Sequence, residues 1–371
     1  MSRTLGAVNL SQGFPDDDPP AEILDLFREA CKTKNGHQYA DPRGIALLRQ
    51  NIAAKLQNTN GIAADADRNI AVTSGASAAL MATFRSLFEP GDEILTFSPV
   101  YENYFLQAHA AGIEIKTVEL SEPDFALSIE RMERARSERL RAILVCNPCN
   151  PTGKVFSRDE LTAISEFAAN QNLIILSDET YERFIWKGVH VSIARLPAAE
   201  DRTVTIFSLG KTYSVTGWRI GCVAAPEGLL QPISAMHELT TISAPHPCQI
   251  ALAHALELPA SFYRNMLASY EERKAILTHA LLGLGLKPWE PAGSYFLWCN
   301  YSQLTGEPDT LFTERLLRGV GVAGVPGQVF YPKSASNPRR IRFTFSKSPA
   351  TIREAARRLE TMRSGLIAQV A

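Results

Sequence analysis

Lys211 stands in Ser208-Leu209-Gly210-Lys211-Thr212-Tyr213, and Gly217-Trp218-Arg219-Ile220-Gly221 follows closely. A lysine amine in an apolar, glycine-punctuated stretch, with a serine three residues before it and an arginine eight after it, suits a Schiff base beside an anion cup. Pyridoxal 5'-phosphate asks for that pair, an amine for its aldehyde and donors for its phosphate. Most lysines are solvated surface charges. The other residues of the set therefore decide whether this one does chemistry.

The pyridine nitrogen of such a cofactor must stay protonated, which takes a carboxylate that favours the charged form. Asp178 closes the apolar run Leu173-Ile174-Ile175-Leu176-Ser177 and can supply it, or can merely cap a helix or begin a turn. Tyr181 can donate to the ring's 3-oxygen or pack as a core aromatic. Asn150 lies in Cys146-Asn147-Pro148-Cys149-Asn150-Pro151-Thr152-Gly153, a tight turn after a strand, and is a second contact for that oxygen. Ser74-Gly75-Ala76-Ser77 joins a strand to a helix, where free N–H groups at Gly75 and Ala76 face an anion with the helix dipole behind them. Ser208 and Arg219 would complete that cup around one phosphate. Tyr101 can stack on the cofactor ring or join the core. Arg342 lies on an apolar strand, where an unpaired arginine is costly. Its partner is either a substrate carboxylate, gripped by two prongs, or an internal Asp or Glu.

These residues need a scaffold. Strands are predicted at Asn69–Thr73, Glu93–Phe97, Arg141–Cys146, Leu173–Ser177, Thr203–Ser208 and Ile220–Ala225. Helices are predicted at Ser77–Phe88, Glu102–Ala111, Arg158–Asn170 and Glu227–Thr240. This alternation implies a mostly parallel sheet with helices on both faces, which binds ligands at the carboxyl ends of its strands. A long helix over about Ser261–Leu284, a strand at Arg340–Phe345 and a last helix from about Ala350 imply a smaller α/β domain. The expected division is a large domain at 30–265 and a small domain at 1–29 plus 266–371.

With 371 residues, 45% hydrophobic and 21% charged, the chain has the composition of a two-domain globular enzyme. A net charge of −1 gives no reason to expect nucleic acid or an anionic membrane as partner. No apolar run spans a bilayer, the N-terminus has no signal-peptide pattern, and the cytoplasm is the expected location. The six cysteines form no disulfide framework, and Cys146-x-x-Cys149 lacks the second pair that a zinc site wants, so no metal is expected.

Asn150-Pro151-Thr152-Gly153, Asp178-Glu179-x-Tyr181, Ser208-x-x-Lys211, Gly217-Trp218-Arg219-Ile220-Gly221 and Arg342 together resemble the class I/II aminotransferases. The resemblance covers nearly the whole chain from Asn9. It implies the fold-type I architecture of PLP-dependent transferases and a Schiff base at Lys211. The implied reaction is transfer of an amino group from an L-amino acid to a 2-oxo acid, through pyridoxamine phosphate. Asn9-Leu10-Ser11-Gln12-Gly13-Phe14-Pro15-Asp16 and His37-Gln38-Tyr39-Ala40-Asp41-Pro42-Arg43-Gly44 resemble the branch with kynurenine aminotransferase, glutamine transaminase K and methionine aminotransferases. That branch implies a homodimer in which Tyr39 reaches the neighbouring cofactor's phosphate. It also implies Gly13 and Phe14 beside the substrate, and cis bonds at Ser98-Pro99 and Asn150-Pro151. An unbranched neutral substrate side chain, as in methionine or glutamine, is expected. The chain departs from the family pattern at Thr180, at Gln328, at Ile242-Ser243 and in its short N-terminal segment. These departures keep an alternative open, a PLP-dependent β- or γ-eliminating lyase or a cyclase. A non-catalytic cofactor-binding regulator is disfavoured, because no DNA-binding segment precedes Asn9.

Overall fold

The computed structural model describes residues 4–332 and 338–370, without the side chains of 362–370. Seven strands form the central sheet, in spatial order Ile70–Thr73, Gly221–Ala224, Thr203–Ser208, Ile174–Asp178, Leu140–Cys146, Glu93–Ser98 and Glu114–Glu119. Gly221–Ala224 runs antiparallel to both neighbours, and every other pairing is parallel. The inner strands are apolar on both faces because helices cover both; Ile70–Thr73 and Glu93–Ser98 are buried throughout. The direction of the strands has one consequence for chemistry. Thr73, Ser98, Cys146, Asp178 and Ser208 all end at the same edge, and Gly221 begins there.

The six strands and four helices predicted for this unit form with ends within one residue. Glu114–Glu119 was not among them, since its alternating, half-exposed Glu-Ile-Lys-Thr-Val-Glu gives little apolar signal at a sheet edge. Helix Arg158–Asn170 starts with a capping box, in which Ser157 and Glu160 each bond the other's backbone N–H.

A second, antiparallel sheet has the order Val325–Pro326, Arg340–Thr344, Phe296–Asn300, Lys287–Pro288. Helices Ala260–Gly283 and Pro349–Val370 pack on each other beside it. Val8–Asn9 pairs with Val322–Ala323, so the start of the chain joins this smaller unit. Helix Ala21–Ala30 departs from the expected placement of residues 1–29. It packs on His246–Ala255, and Ile23 shares a core with Ile52 and Leu252 of the larger unit. The expected boundary at 265/266 also falls inside a continuous helix of 24 residues. Phe262 and Tyr263 at its start pack with the larger unit, and Leu277 and Leu281 with the smaller. A helix that long, about 36 Å, serves both cores. Among the described residues no helix is long and apolar enough to cross a membrane.

Candidate active site

A cleft of about 430 Å³ opens at the shared strand edge, a size ordinary for a small-molecule site. Gly13, Phe14, Ala76, Tyr101, Asn150, Asp178, Tyr181, Ser208, Lys211, Arg219 and Arg342 line it. They come from both units, so the site exists only once the two have packed. Gly75 lies directly behind Arg219. Tyr39 is outside this group and is 79% exposed.

Lys211 rides on the single helical turn Leu209–Thr212 that follows Ser208. Its Nζ donates to the Gly13 carbonyl at 2.7 Å, and the Tyr295 hydroxyl donates to the same oxygen at 2.7 Å. Burial, helped by the positive charges of Arg342 and Arg219, lowers the amine to about 8. Asp178 partly opposes this. The amine is thereby brought toward its neutral, nucleophilic form.

At one end of the cleft the Asp178 carboxylate accepts from the Thr180 N–H at 3.0 Å and from the Tyr104 hydroxyl at 2.5 Å. Two such bonds fix the carboxylate and leave lone pairs free for a further donor. Tyr104 escaped sequence reasoning, since only the fold brings it across 74 positions to Asp178. Tyr101 stands edge-on to Tyr104, with ring centroids 5.4 Å apart. Burial pushes the Tyr181 phenol well up, so it stays protonated and able to donate.

The other end suits an anion. Gly75 has φ +83°, and a Cβ there would collide with the Arg219 guanidinium. Arg219 itself has φ +55° and donates to the carbonyls of Thr216 at 3.1 Å and Ser74 at 3.3 Å. No carboxylate pairs with it among the described residues. The first N–H groups of helix Ala76–Leu87 start at this point. His237 holds the turn from behind, its Nε2 accepting from the Ser74 N–H at 3.0 Å. Burial keeps this histidine below its usual range, hence neutral and able to accept. It too gave no sequence signal.

Arg342 is buried between the rings of Phe296 and Phe330, with centroid distances of 4.3 and 4.8 Å. One nitrogen donates to Asn150 Oδ1 at 2.7 Å and another to the Ser11 carbonyl at 2.8 Å. With its oxygen so engaged, the Asn150 amide is left two N–H donors. Arg342 Nε has no partner, and no Asp or Glu forms an ion pair with this guanidinium among the described residues. Burial lowers its proton affinity, opposed first by Glu102. The Ser98-Pro99 and Asn150-Pro151 bonds are both cis, as is Asn147-Pro148 between them in sequence.

A model described as aminotransferase class I and II matches residues 6–359. The chain belongs to that family. It is 34% identical to a probable N-succinyldiaminopimelate aminotransferase of Mycobacterium tuberculosis, over 98% of this chain and 94% of that one. It is 33% identical to the methionine aminotransferase of Escherichia coli, over 96% and 92%. The solved structure of the N-succinyldiaminopimelate aminotransferase from Mycobacterium tuberculosis superposes with a TM-score of 0.93 at 34% identity, covering 97% and 94% of the two chains.

This aminotransferase has the fold-type I architecture and uses pyridoxal 5'-phosphate, as class I and II members do. Its donor set fits the cofactor. An anion cup lies at one end, a fixed carboxylate at the other, and a reactive amine near both. The eliminating lyase has no support among the named relatives, which are aminotransferases. Cys146 and Cys149 are buried free thiols. The carboxylates of Glu179 and Glu182 approach His190, but Lys55 and Asn60 already answer Glu182. Ile242 ends helix Glu227–Thr241 with φ +66° and is 48% exposed.

Proposed function

We propose that this aminotransferase seats its amino acid with the carboxylate on Arg342 and the Asn150 amide, and moves the α-proton with Lys211. The observation that carries this reading is the Arg342 guanidinium: buried, orphaned at Nε, and facing the cleft that also holds the Lys211 amine. A cation so placed needs an anion from outside the chain. Pyridoxal 5'-phosphate, when bound, supplies an aldehyde that condenses with amines and a protonated ring that takes up the electron pair left at the α-carbon. Asp178, held by Tyr104 and Thr180, would keep the ring nitrogen protonated. Tyr181 and Asn150 would donate to the 3-oxygen, and Tyr101 would supply an aromatic surface for the ring. Gly75, Ala76, Ser208 and Arg219 would hold the phosphate. Lys211 Nζ would take the proton from the substrate α-carbon and deliver it to the cofactor carbon that carried the aldehyde. Gly13 and Phe14 form the wall over the reacting atoms.

The substrate is an L-amino acid with an unbranched side chain, a reading supported by the likeness to a methionine aminotransferase. A homodimer in which Tyr39 reaches the neighbouring phosphate fits the exposure of that ring outside its own cleft. The test is to add single amino acids to the holoenzyme without any oxo acid. The cofactor's visible absorbance is expected to fall and to return with a 2-oxo acid. Product formation with the absorbance restored unaided would overturn transamination.

Two further outcomes follow from the site. Gly75→Ala pushes a methyl into Arg219 at a backbone angle L-residues avoid. Cofactor affinity, measured by titration of the cofactor-free protein, should drop about ten- to a hundredfold, the scale of one or two charge-assisted bonds. The Lys211 amine, lowered to about 8, sets a pH dependence. Between about 8 and its ordinary 10.5 the unfolded chain holds the proton that the folded chain has lost. Stability of the cofactor-free protein contributed by this group therefore rises with pH through that window. Cofactor uptake should quicken as this amine loses its proton, around the lower edge of that window, with a midpoint near 8. A stopped-flow series in pH checks this, and a flat profile would contradict it.

A further inference from the structure

One charged side chain in the cleft has no part in the chemistry above. Glu102 lines the same cleft as Arg342 and Lys211. Its Oε2 is shielded from solvent and has no hydrogen-bond partner among the described residues. It forms no ion pair among the described residues. Glu102 also sits at the N-cap of helix Asn103–Ala111, where an acid ordinarily bonds the first free N–H groups, yet its side chain makes no capping bond. Its charge is felt at two neighbours. It is the first group opposing the lowering of Arg342, and after burial it is the main cause that pushes Tyr101 up to about 12.

A shielded carboxylate oxygen with nothing to accept from is costly, unless a donor arrives with the ligand. Arg342 is not that donor in this arrangement, since two of its nitrogens serve Asn150 and Ser11 and its Nε makes no hydrogen bond to Glu102. The α-carboxylate of a substrate is an acceptor and would be repelled. The α-amino group is taken up by the cofactor aldehyde, so what remains of an amino acid is its side chain. We propose that Glu102 is a specificity-determining residue, and that the enzyme prefers amino acids whose side chain ends in N–H donors, a carboxamide or a cationic nitrogen. This rests on the seating of the α-carboxylate at Arg342 proposed above. Met and norleucine then become the poorer partners of Gln, which matches Met in length but carries a donor, and of Lys, which is norleucine extended by an amine.

The test compares kcat/KM of the holoenzyme for glutamine against methionine and for lysine against norleucine, in wild type, Glu102→Gln and Glu102→Ala. Cofactor occupancy is checked by visible absorbance in each. The wild type is expected to favour the donor-bearing member of at least one pair. Glu102→Ala should lower that ratio about ten- to a hundredfold, the worth of a hydrogen bond to a charged group. Glu102→Gln, the milder change, should keep glutamine better than lysine, because a neutral amide still accepts but no longer pairs with a charge. A carboxylate that only balances Arg342 would alter all substrates alike, so an unchanged ratio overturns the assignment. So does a wild type that prefers the apolar member of both pairs. If the wild type handles both members equally, only the role of Glu102 fails. If it handles neither pair, the Arg342 seating fails and takes this assignment with it.

Discussion

Lys211→Ala will cut turnover with any amino acid at least about a thousandfold, the combined scale of a lost general base and a lost nucleophile. The cleft offers no substitute. Lys347 is the other nearby amine, and its Nζ is committed to the Phe14 carbonyl at 2.6 Å. The fold should survive the change. Gly13 keeps a donor in the Tyr295 hydroxyl, and the amine removed is one that burial disfavours when charged. The unfolding midpoint in urea should thus hold or rise, while the visible absorbance produced when cofactor joins this amine disappears. Single-turnover measurements of the first half-reaction decide the matter. A Lys211→Ala protein that still loses the substrate α-proton at the wild-type rate would falsify the role assigned to this residue.

Arg342→Lys will lower kcat/KM for amino acid and 2-oxo acid together, by about a hundredfold, mostly through KM. A lysine keeps the charge but loses the fork that grips two carboxylate oxygens, and it gives up the planar guanidinium that lies over the rings of Phe296 and Phe330. Losing one charge-assisted contact of a buried pair costs about 2–5 kcal/mol, and the retained charge recovers part of that. Asn150 Oδ1 and the Ser11 carbonyl each lose a donor as well, so the variant should unfold at lower urea. Substrate analogues without a carboxylate separate the readings. Their weak turnover should change little. An equal loss with them would mean that Arg342 holds the cleft together and does not grip substrate.

Much of this site was legible in the chain. Asp178, Ser208 and Cys146 end apolar runs, and an apolar run flanked by turn residues is a strand whatever surrounds it. The end of a strand in a mostly parallel sheet is a place where ligands bind. Local rules therefore put Lys211, Asp178, Asn150, Gly75 and Arg219 near one edge. The combination of short motifs in fixed order pointed to the family that the comparisons then showed.

Other features had no local signature. Tyr104 and His237 are single residues on ordinary amphipathic helices, and nothing in their neighbourhoods distinguishes them from core residues. Their partners, Asp178 and Ser74, lie 74 and 163 positions away. Helix Ala21–Ala30 shows the same limit. Its apolar stripe announces that it must be buried, but not against which core, and packing on His246–Ala255 decided that. The acceptors from Ser11 and Gly13 are backbone carbonyls, a group every residue carries. Sequence cannot mark one carbonyl among hundreds, because what distinguishes it is position alone. The chain itself determined which residues are chemically able to act and which strands and helices carry them, since those follow from side-chain chemistry and short-range periodicity. Only the tertiary structure decided which groups lower the Lys211 amine, hold the Asp178 carboxylate and leave Arg342 Nε and Glu102 Oε2 without partners, because desolvation and charge act through space and not along the chain.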